Sequence, residues 1–95
     1  MEFKNEELKV TFTIPEKLTI RQRLQYDSVA YGGTEPYLER LWEGAKAIIQ
    51  EWHAPFAMEI DLDKETDSDA AAAVEWVGRA VFSRMFELKE LPKNS

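Results

Sequence analysis

The sequence contains no cysteine, a single histidine and no long apolar run. The absence of cysteine excludes disulfides and thiolate nucleophiles, and it is typical of proteins in a reducing compartment. One imidazole, that of His53, cannot build the usual histidine-rich zinc sites. No segment approaches the roughly 20 consecutive apolar residues that cross a bilayer, and residues 1–8 are charged, unlike a signal peptide. We therefore expect a cytoplasmic protein with no membrane association.

Basic residues are also scarce, with 12 lysines and arginines against 18 aspartates and glutamates and a net charge of −6. Because phosphate contacts depend mainly on lysine and arginine, this deficit argues against nucleic acid as a partner. A protein with a basic surface would be a better match. The alternative is that the negative charge only keeps the domain soluble.

In other respects the composition is that of a folded globular protein. Hydrophobic residues make up 44% of the chain and include three tryptophans, whereas disordered chains have few aromatic residues. A chain of 95 residues has room for one core, and no internal repeat or long linker divides it. The sequence therefore predicts a single domain over residues 1–95.

Two segments, residues 8–14 and residues 56–62, alternate apolar and polar residues with the period of a half-buried strand. Pro15 ends the first of them. We expect the two segments to pair as a two-stranded sheet. Because such a pair is marginal in water, packed helices or the strand of a partner must cover it.

A first helix is predicted over residues 20–30, and its start is marked by a capping box. Thr19 takes the N-cap position and Gln22 follows three residues later, so each side chain satisfies a backbone amide of the other. The apolar residues of this helix share one face, which consists of Ile20, Leu24 and Tyr31. Asp27 lies in the middle of that face, with Arg23 as its nearest potential partner. The glycine pair that follows ends the helix.

The strongest structural signal is a second helix over residues 37–52. We expect Thr34 to cap it and Pro36 to lie in its first turn. Apolar residues recur along it at helical spacing and form a broad stripe: Tyr37, Leu38, Leu41, Trp42, Ala45, Ile48, Ile49 and Trp52. Residues 53–55 close the helix, and His53 is expected to interact with its C-terminal dipole.

A third helix is predicted to begin at Asp67, Ser68 and Asp69, whose side chains suit a helix N-terminus, and to end at Leu91-Pro92. Its core stripe is predicted to consist of Ala70, Val74, Val77, Val81, Met85 and Leu88. The predicted fold is therefore α+β and mainly helical, with three helices packed with a two-stranded β-sheet in the order β-α-α-β-α.

Catalytic and metal-binding motifs are not recognisable. The acidic residues 61–69 resemble a calcium loop, but Thr66 stands where the loop needs glycine and Ala72 where it needs a bidentate glutamate. A nucleophilic triad would have to use His53, and the glycine pair is not part of a phosphate-binding motif. We therefore expect no catalytic residue, no metal and no cofactor.

Candidate partner-binding residues lie on the third helix. Phe82 and Phe86 are one turn apart on the face that also carries Glu75, Arg79 and Lys89. Either they cover a neighbouring element of the domain, or they form an exposed patch that binds a partner or a second copy. Trp76, on the other side of the core stripe, extends the same argument.

Several segments resemble small tail-assembly-chaperone-like proteins of tailed bacteriophages. They are Leu18-Thr19-Ile20-Arg21-Gln22 with Tyr26, the run from Leu41-Trp42-Glu43-Gly44-Ala45-Lys46 through Ile49 to Glu51-Trp52, Asp61-Leu62-Asp63, and the ending from Leu88 to Asn94. The resemblance spans most of the chain and includes no catalytic motif. It implies a chaperone of virion morphogenesis in the host cytoplasm, one that keeps a helical tape-measure protein soluble and helps organise tail-tube subunits. It transfers no residue-level binding site.

Two other functions remain open. In one, an acidic inhibitor or regulator uses the carboxylates of residues 59–69, including Asp61, Asp63 and Glu65, to mimic nucleic-acid charge and bind a basic protein. The other is a small enzyme, which the absence of any catalytic constellation disfavours. An exposed aromatic face and free sheet edges would also allow a homo-oligomer.

Overall fold

The computed structural model describes residues 1–90. It contains β1 (Glu2–Asn5), β2 (Val10–Thr13), α1 (Ile20–Gly32), α2 (Tyr37–Ile48), β3 (Glu51–His53) and α3 (Ser68–Glu90). The strands form one antiparallel sheet in the order β1-β2-β3. The prediction of a mainly helical α+β fold with three helices is confirmed. The predicted two-stranded sheet is wrong, because the described residues form three strands and the order is β-β-α-α-β-α.

The central strand β2 pairs with a strand on each side, and neither is the one that the alternation predicted. Phe12 lies opposite Phe3 of β1 and opposite Trp52 of β3. Residues 56–62 are not a strand; Phe56, Met58 and Ile60 are half-buried and the residues between them are exposed. The chain passes through bends at residues 54–56 and a turn at residues 58–59, and it still buries alternate side chains although its backbone pairs with no strand. The alternation was therefore misleading.

The second helix ends four residues earlier than predicted, at Ile48. Ile49 adopts an extended backbone, and the amide of Gln50 donates a hydrogen bond to the carbonyl of Thr13 at 2.8 Å. Pairing with β2 therefore replaces the last helical turn. His53 consequently lies exposed on β3, and its predicted interaction with the helix C-terminus is wrong. The Thr34 cap is wrong too, because Pro36 takes the N-cap position without a side-chain hydrogen bond.

The capping box of α1 is confirmed, but the buried face of this helix differs from its apolar face. The amide of Gln22 donates to Thr19 Oγ1 at 3.1 Å, and the amide of Thr19 donates to Gln22 Oε1 at 2.9 Å. Ile20 and Leu24 are 79% and 62% exposed, whereas Tyr26 and Ala30 are buried. The glycine at position 44 in α2 accounts for this difference. A Cβ there would lie 3.1 Å from the Tyr26 ring, so the missing side chain makes room for Tyr26.

Helix α3 packs on both α2 and the sheet. Its stripe is confirmed within the described residues: Ala70, Val77, Val81 and Met85 are buried and Val74 is half-buried. The side chain of Leu88 and the predicted end at Leu91-Pro92 lie outside the described residues. As predicted, Asp67 caps the helix, since its Oδ1 accepts from the amide of Asp69 at 3.1 Å. This packing leaves Ala71, Arg79, Ser83 and Phe86 exposed on the outer side of α3.

Candidate functional site

Four aromatic side chains from all three helices meet on one surface, which we call the aromatic patch: Tyr31 of α1, Tyr37 of α2, and Phe82 and Phe86 of α3. The ring centroids of Tyr31 and Phe82 are 6.1 Å apart, and those of Tyr37 and Phe82 are 6.3 Å apart. Phe82 is half-buried by these contacts. Tyr31, Tyr37 and Phe86 remain 50%, 50% and 55% exposed. Phe82 therefore covers neighbouring elements, whereas Phe86 is available to a partner.

A groove of about 460 Å³ lies within the aromatic patch, and its lining consists of Tyr37, Leu41, Arg79, Phe82, Ser83 and Phe86. Arg79 supplies a charged edge and is held in place by Glu75, whose Oε1 lies 3.1 Å from Arg79 Nη2 and accepts from its Nε at 3.2 Å. The groove therefore combines apolar rings with a charged border, which is the usual composition of a protein-binding surface.

Tyr26 lies close enough to Tyr31 and Tyr37 to interact electrostatically with both. Burial is the main cause that raises its pKa, and the neighbouring tyrosines and Asp27 add to the effect. Among the described residues its hydroxyl has no hydrogen-bond partner. The phenol is thus neutral at physiological pH and unsuited to act as a general base there.

A second concavity, which we call the acidic cleft, lies between α2, the start of α3 and the segment that joins β3 to α3. Its volume is about 240 Å³, and it is lined by Leu38, Glu39, Ile60, Leu62, Glu65, Asp67, Ala70, Ala71, Val74 and Glu75. Its lining is mostly aliphatic, with four carboxylates. The cleft unites residues that are distant in the sequence.

The other predicted partner-binding residues are dispersed. The ring of Trp76 packs edge-on against Phe12 at a centroid distance of 5.6 Å, which places it against the sheet and away from the aromatic patch. Asp61, Asp63 and Glu65 are exposed, and only Glu65 of these lines the acidic cleft. Of the predicted residues, the structure therefore places Phe82 and Phe86 together in the aromatic patch. It places Glu65 separately, in the acidic cleft.

Sequence reasoning missed the tyrosines of the aromatic patch and the aliphatic lining of the acidic cleft. Tyr31 and Tyr37 were assigned to apolar helix stripes, and Leu38 and Ile60 to a helix stripe and a strand. No local signal distinguishes an apolar residue that faces the core from one that faces a groove, because helix orientation decides between them.

Within residues 1–90, no group of three or more histidine, cysteine, aspartate or glutamate residues is arranged to hold a metal ion. No helix in that same range is long and apolar enough to cross a bilayer. The chain matches no protein-family model, no curated protein and no solved structure.

Proposed function

We propose that this chain is a non-enzymatic protein-binding domain that holds an amphipathic helix of its partner against the aromatic patch. One observation carries the proposal: large apolar side chains from three helices converge on one exposed surface. Scattered single apolar residues are normal on protein surfaces, but a contiguous aromatic cluster with a charged border is typical of interaction sites.

The shape of the patch favours a helical partner. Phe82 and Phe86 are one turn apart on α3, so their rings form a ridge along the helix axis beside the groove. Side chains at helical spacing on a second helix can interdigitate with such a ridge. Binding of an amphipathic helix by its apolar face is a common recognition mode.

Within this reading, the partner is a helical tail component of a bacteriophage, and the chain is a tail assembly chaperone in the host cytoplasm. The resemblance described above motivates the assignment. The aromatic patch supports it, because such a helper must cover apolar helix faces that would otherwise aggregate. The net charge of −6 supports it as well, because excess charge keeps a complex soluble.

Co-expression with the helical segments of a tape-measure protein from the same genome tests the proposal. We expect the wild-type chain to keep these segments soluble and Phe86→Ser to lose this ability. Leu24→Ser is the matched control, since Leu24 is also exposed but lies on α1 outside the aromatic patch. If the genome encodes no tail gene, or if both variants act like the wild type, the proposal fails. Dimers in light scattering that Phe86→Ser abolishes would identify a second copy as the occupant instead.

A second candidate function, the acidic inhibitor or regulator, is favoured by the exposure of every residue from Asp61 to Asp69. Hydrogen bonds within this segment hold its backbone, including those from the amides of Lys64 and Glu65 to the carbonyl of Asp61. A fixed row of carboxylates can mimic phosphates. Binding to a basic nucleic-acid-handling protein should then weaken steeply with salt, and affinity unchanged by salt would exclude this function.

A further inference from the structure

We propose that the acidic cleft receives the side chain of a lysine or arginine from a partner protein. The inference does not rest on the aromatic patch. Helix α2 crosses α3 at Gly78, where an added Cβ would lie 3.1 Å from the backbone nitrogen of Trp42. The cleft lies beside residues 70–75 of α3 and the groove of the aromatic patch beside residues 79–86, and the ion pair between Glu75 and Arg79 lies where the two surfaces adjoin.

The interior of the acidic cleft matches an aliphatic stem. Leu38 from α2, Val74 from α3, and Ile60 and Leu62 from the connecting segment provide branched aliphatic surface. At about 240 Å³, the cleft is smaller than the roughly 300–1,000 Å³ of pockets that enclose whole small molecules. One long side chain therefore fits better than a free cofactor.

The carboxylates of the acidic cleft match a cationic head group. Glu39, Glu65, Asp67 and Glu75 all belong to its lining. Some of their acceptor capacity is already used: Glu65 accepts from the amide of Asp67, and Glu75 pairs with Arg79. Each carboxylate can accept about four hydrogen bonds, so each retains capacity for a further cation.

Lysine and arginine combine an aliphatic stem and a cationic head group in one side chain. They bury the methylene stem on apolar surface and keep the charged head among polar groups. Other cations fit less well. A calcium ion needs six to eight oxygen ligands close together, and within residues 1–90 no group of three or more carboxylates is arranged to hold a metal ion. A quaternary ammonium ligand needs an aromatic cage, and no aromatic residue lines this cleft. The lining therefore selects a basic residue on an otherwise apolar segment.

The test uses three helical peptides that are identical except at one central position, which carries lysine, norleucine or glutamine. Norleucine keeps the aliphatic stem and removes the charge, whereas glutamine keeps polarity and shortens the stem. Titration of the labelled full chain, followed by amide NMR, should shift the signals of Leu62, Ala70, Ala71 and Val74. We expect the lysine peptide to bind about fivefold more tightly than the norleucine peptide.

Two variants with matched controls locate the site. Ala71→Phe should fill the cleft and weaken binding of the lysine peptide by about tenfold, whereas Ala72→Phe, on an exposed neighbour outside the lining, should leave it unchanged. Glu65→Gln should reduce the preference for lysine over norleucine, and Glu59→Gln, in the same acidic segment but outside the lining, should not.

Equal affinity for the lysine and norleucine peptides would overturn the proposal, as would signals that shift at Ser83 and Phe86 in place of the cleft. Binding unaffected by Ala71→Phe would overturn it equally. If circular dichroism shows that Ala71→Phe is misfolded, the comparison of Glu65→Gln with Glu59→Gln tests the proposal in its place. Loss of peptide binding in Phe86→Ser with an intact cleft would point to the aromatic patch instead, so failure of this proposal is distinguishable from failure of the proposed function.

Discussion

The crossing of α2 and α3 depends on the absence of a side chain at Gly78, and Gly78→Ala tests this directly. An added Cβ would lie 3.1 Å from Leu41 Cβ, 3.1 Å from the backbone nitrogen of Trp42 and 3.3 Å from the carbonyl carbon of Leu41. Carbon atoms pack best at about 3.5–4.0 Å. Because two of these three neighbours are backbone atoms, a side-chain rotation cannot relieve the contact and the helices must move apart.

Two effects of opposite sign determine how much Gly78→Ala changes the free energy of unfolding. Alanine is favoured over glycine inside a helix by about 0.8–1.0 kcal/mol. Overpacking of a core costs about 1–3 kcal/mol, and the rigidity of the backbone here argues for the upper part of that range. We therefore expect Gly78→Ala to lower the free energy of unfolding by about 1–2 kcal/mol. For a domain of this size each kcal/mol corresponds to about 4–8 °C in Tm.

Urea denaturation and thermal unfolding, both followed by tryptophan fluorescence, measure the effect. Gly32→Ala is the matched control: it lies in α1 with no atom within 4 Å of an added Cβ, and its φ is not positive. We expect this control to stabilise the domain by about 0.4–1 kcal/mol. If Gly78→Ala stabilised the domain as much as Gly32→Ala does, the close approach of α2 and α3 would be refuted.

Three further substitutions probe other parts of the structure. Thr19→Ala removes the capping box of α1 and should cost about 0.5–2 kcal/mol of unfolding free energy in urea titrations; no loss would contradict the cap. Because burial raises the pKa of Tyr26 above its ordinary value of 10.0, the unfolded chain loses this proton first and stability must fall as pH rises above about 10. Tyr26→Phe should flatten that alkaline decline and leave neutral-pH stability equal or higher, since the hydroxyl is unpaired among the described residues; an unchanged decline would argue against the burial. Phe86→Ser should change the free energy of unfolding by no more than about 0.5 kcal/mol, as expected for a surface position, and a loss several times larger would show that Phe86 belongs to the core.

The helices were the most predictable part of this fold. In α2 and α3 apolar residues recur at helical spacing over several turns, and the structure buries Leu41, Trp42, Val77 and Val81 as that spacing predicts. The start of α1 was equally clear, because a capping box is formed between residues only three positions apart. Both signals depend on neighbours in the sequence, which is why they can be read without knowing the fold.

The sheet was less predictable because strand pairing depends on residues far apart in the sequence. β1 has only one half-buried apolar residue, Phe3, whose ring stacks on Phe12 at 4.8 Å. β3 has the composition of a helix end, and Trp52 joins the sheet because its ring packs at 5.8 Å from Trp42 and 6.3 Å from Phe12. Neither β1 nor β3 could therefore be predicted from the local sequence pattern.

Of the candidate surfaces, Phe82 and Phe86 were found from the sequence because they depart from the core stripe of their own helix. Tyr31 and Tyr37 were not, since their exposure follows from how α1 and α2 are oriented. The acidic cleft could be predicted only in part. Glu65 belongs to an acidic run in the sequence, but the aliphatic residues beside it come from three separate segments.

Composition and local periodicity thus established a mainly helical α+β chain with an excess of acid and one well-marked cap. Those properties arise from residue chemistry and from contacts within a few positions. The third strand, the burial of Tyr26, the aromatic patch and the acidic cleft depend on how distant segments pack around one core. Burial of one face of a helix in that core exposes the opposite face. Two glycines, at positions 44 and 78, set how closely the helices approach, and a lone glycine in a helical pattern does not reveal what will pack against it.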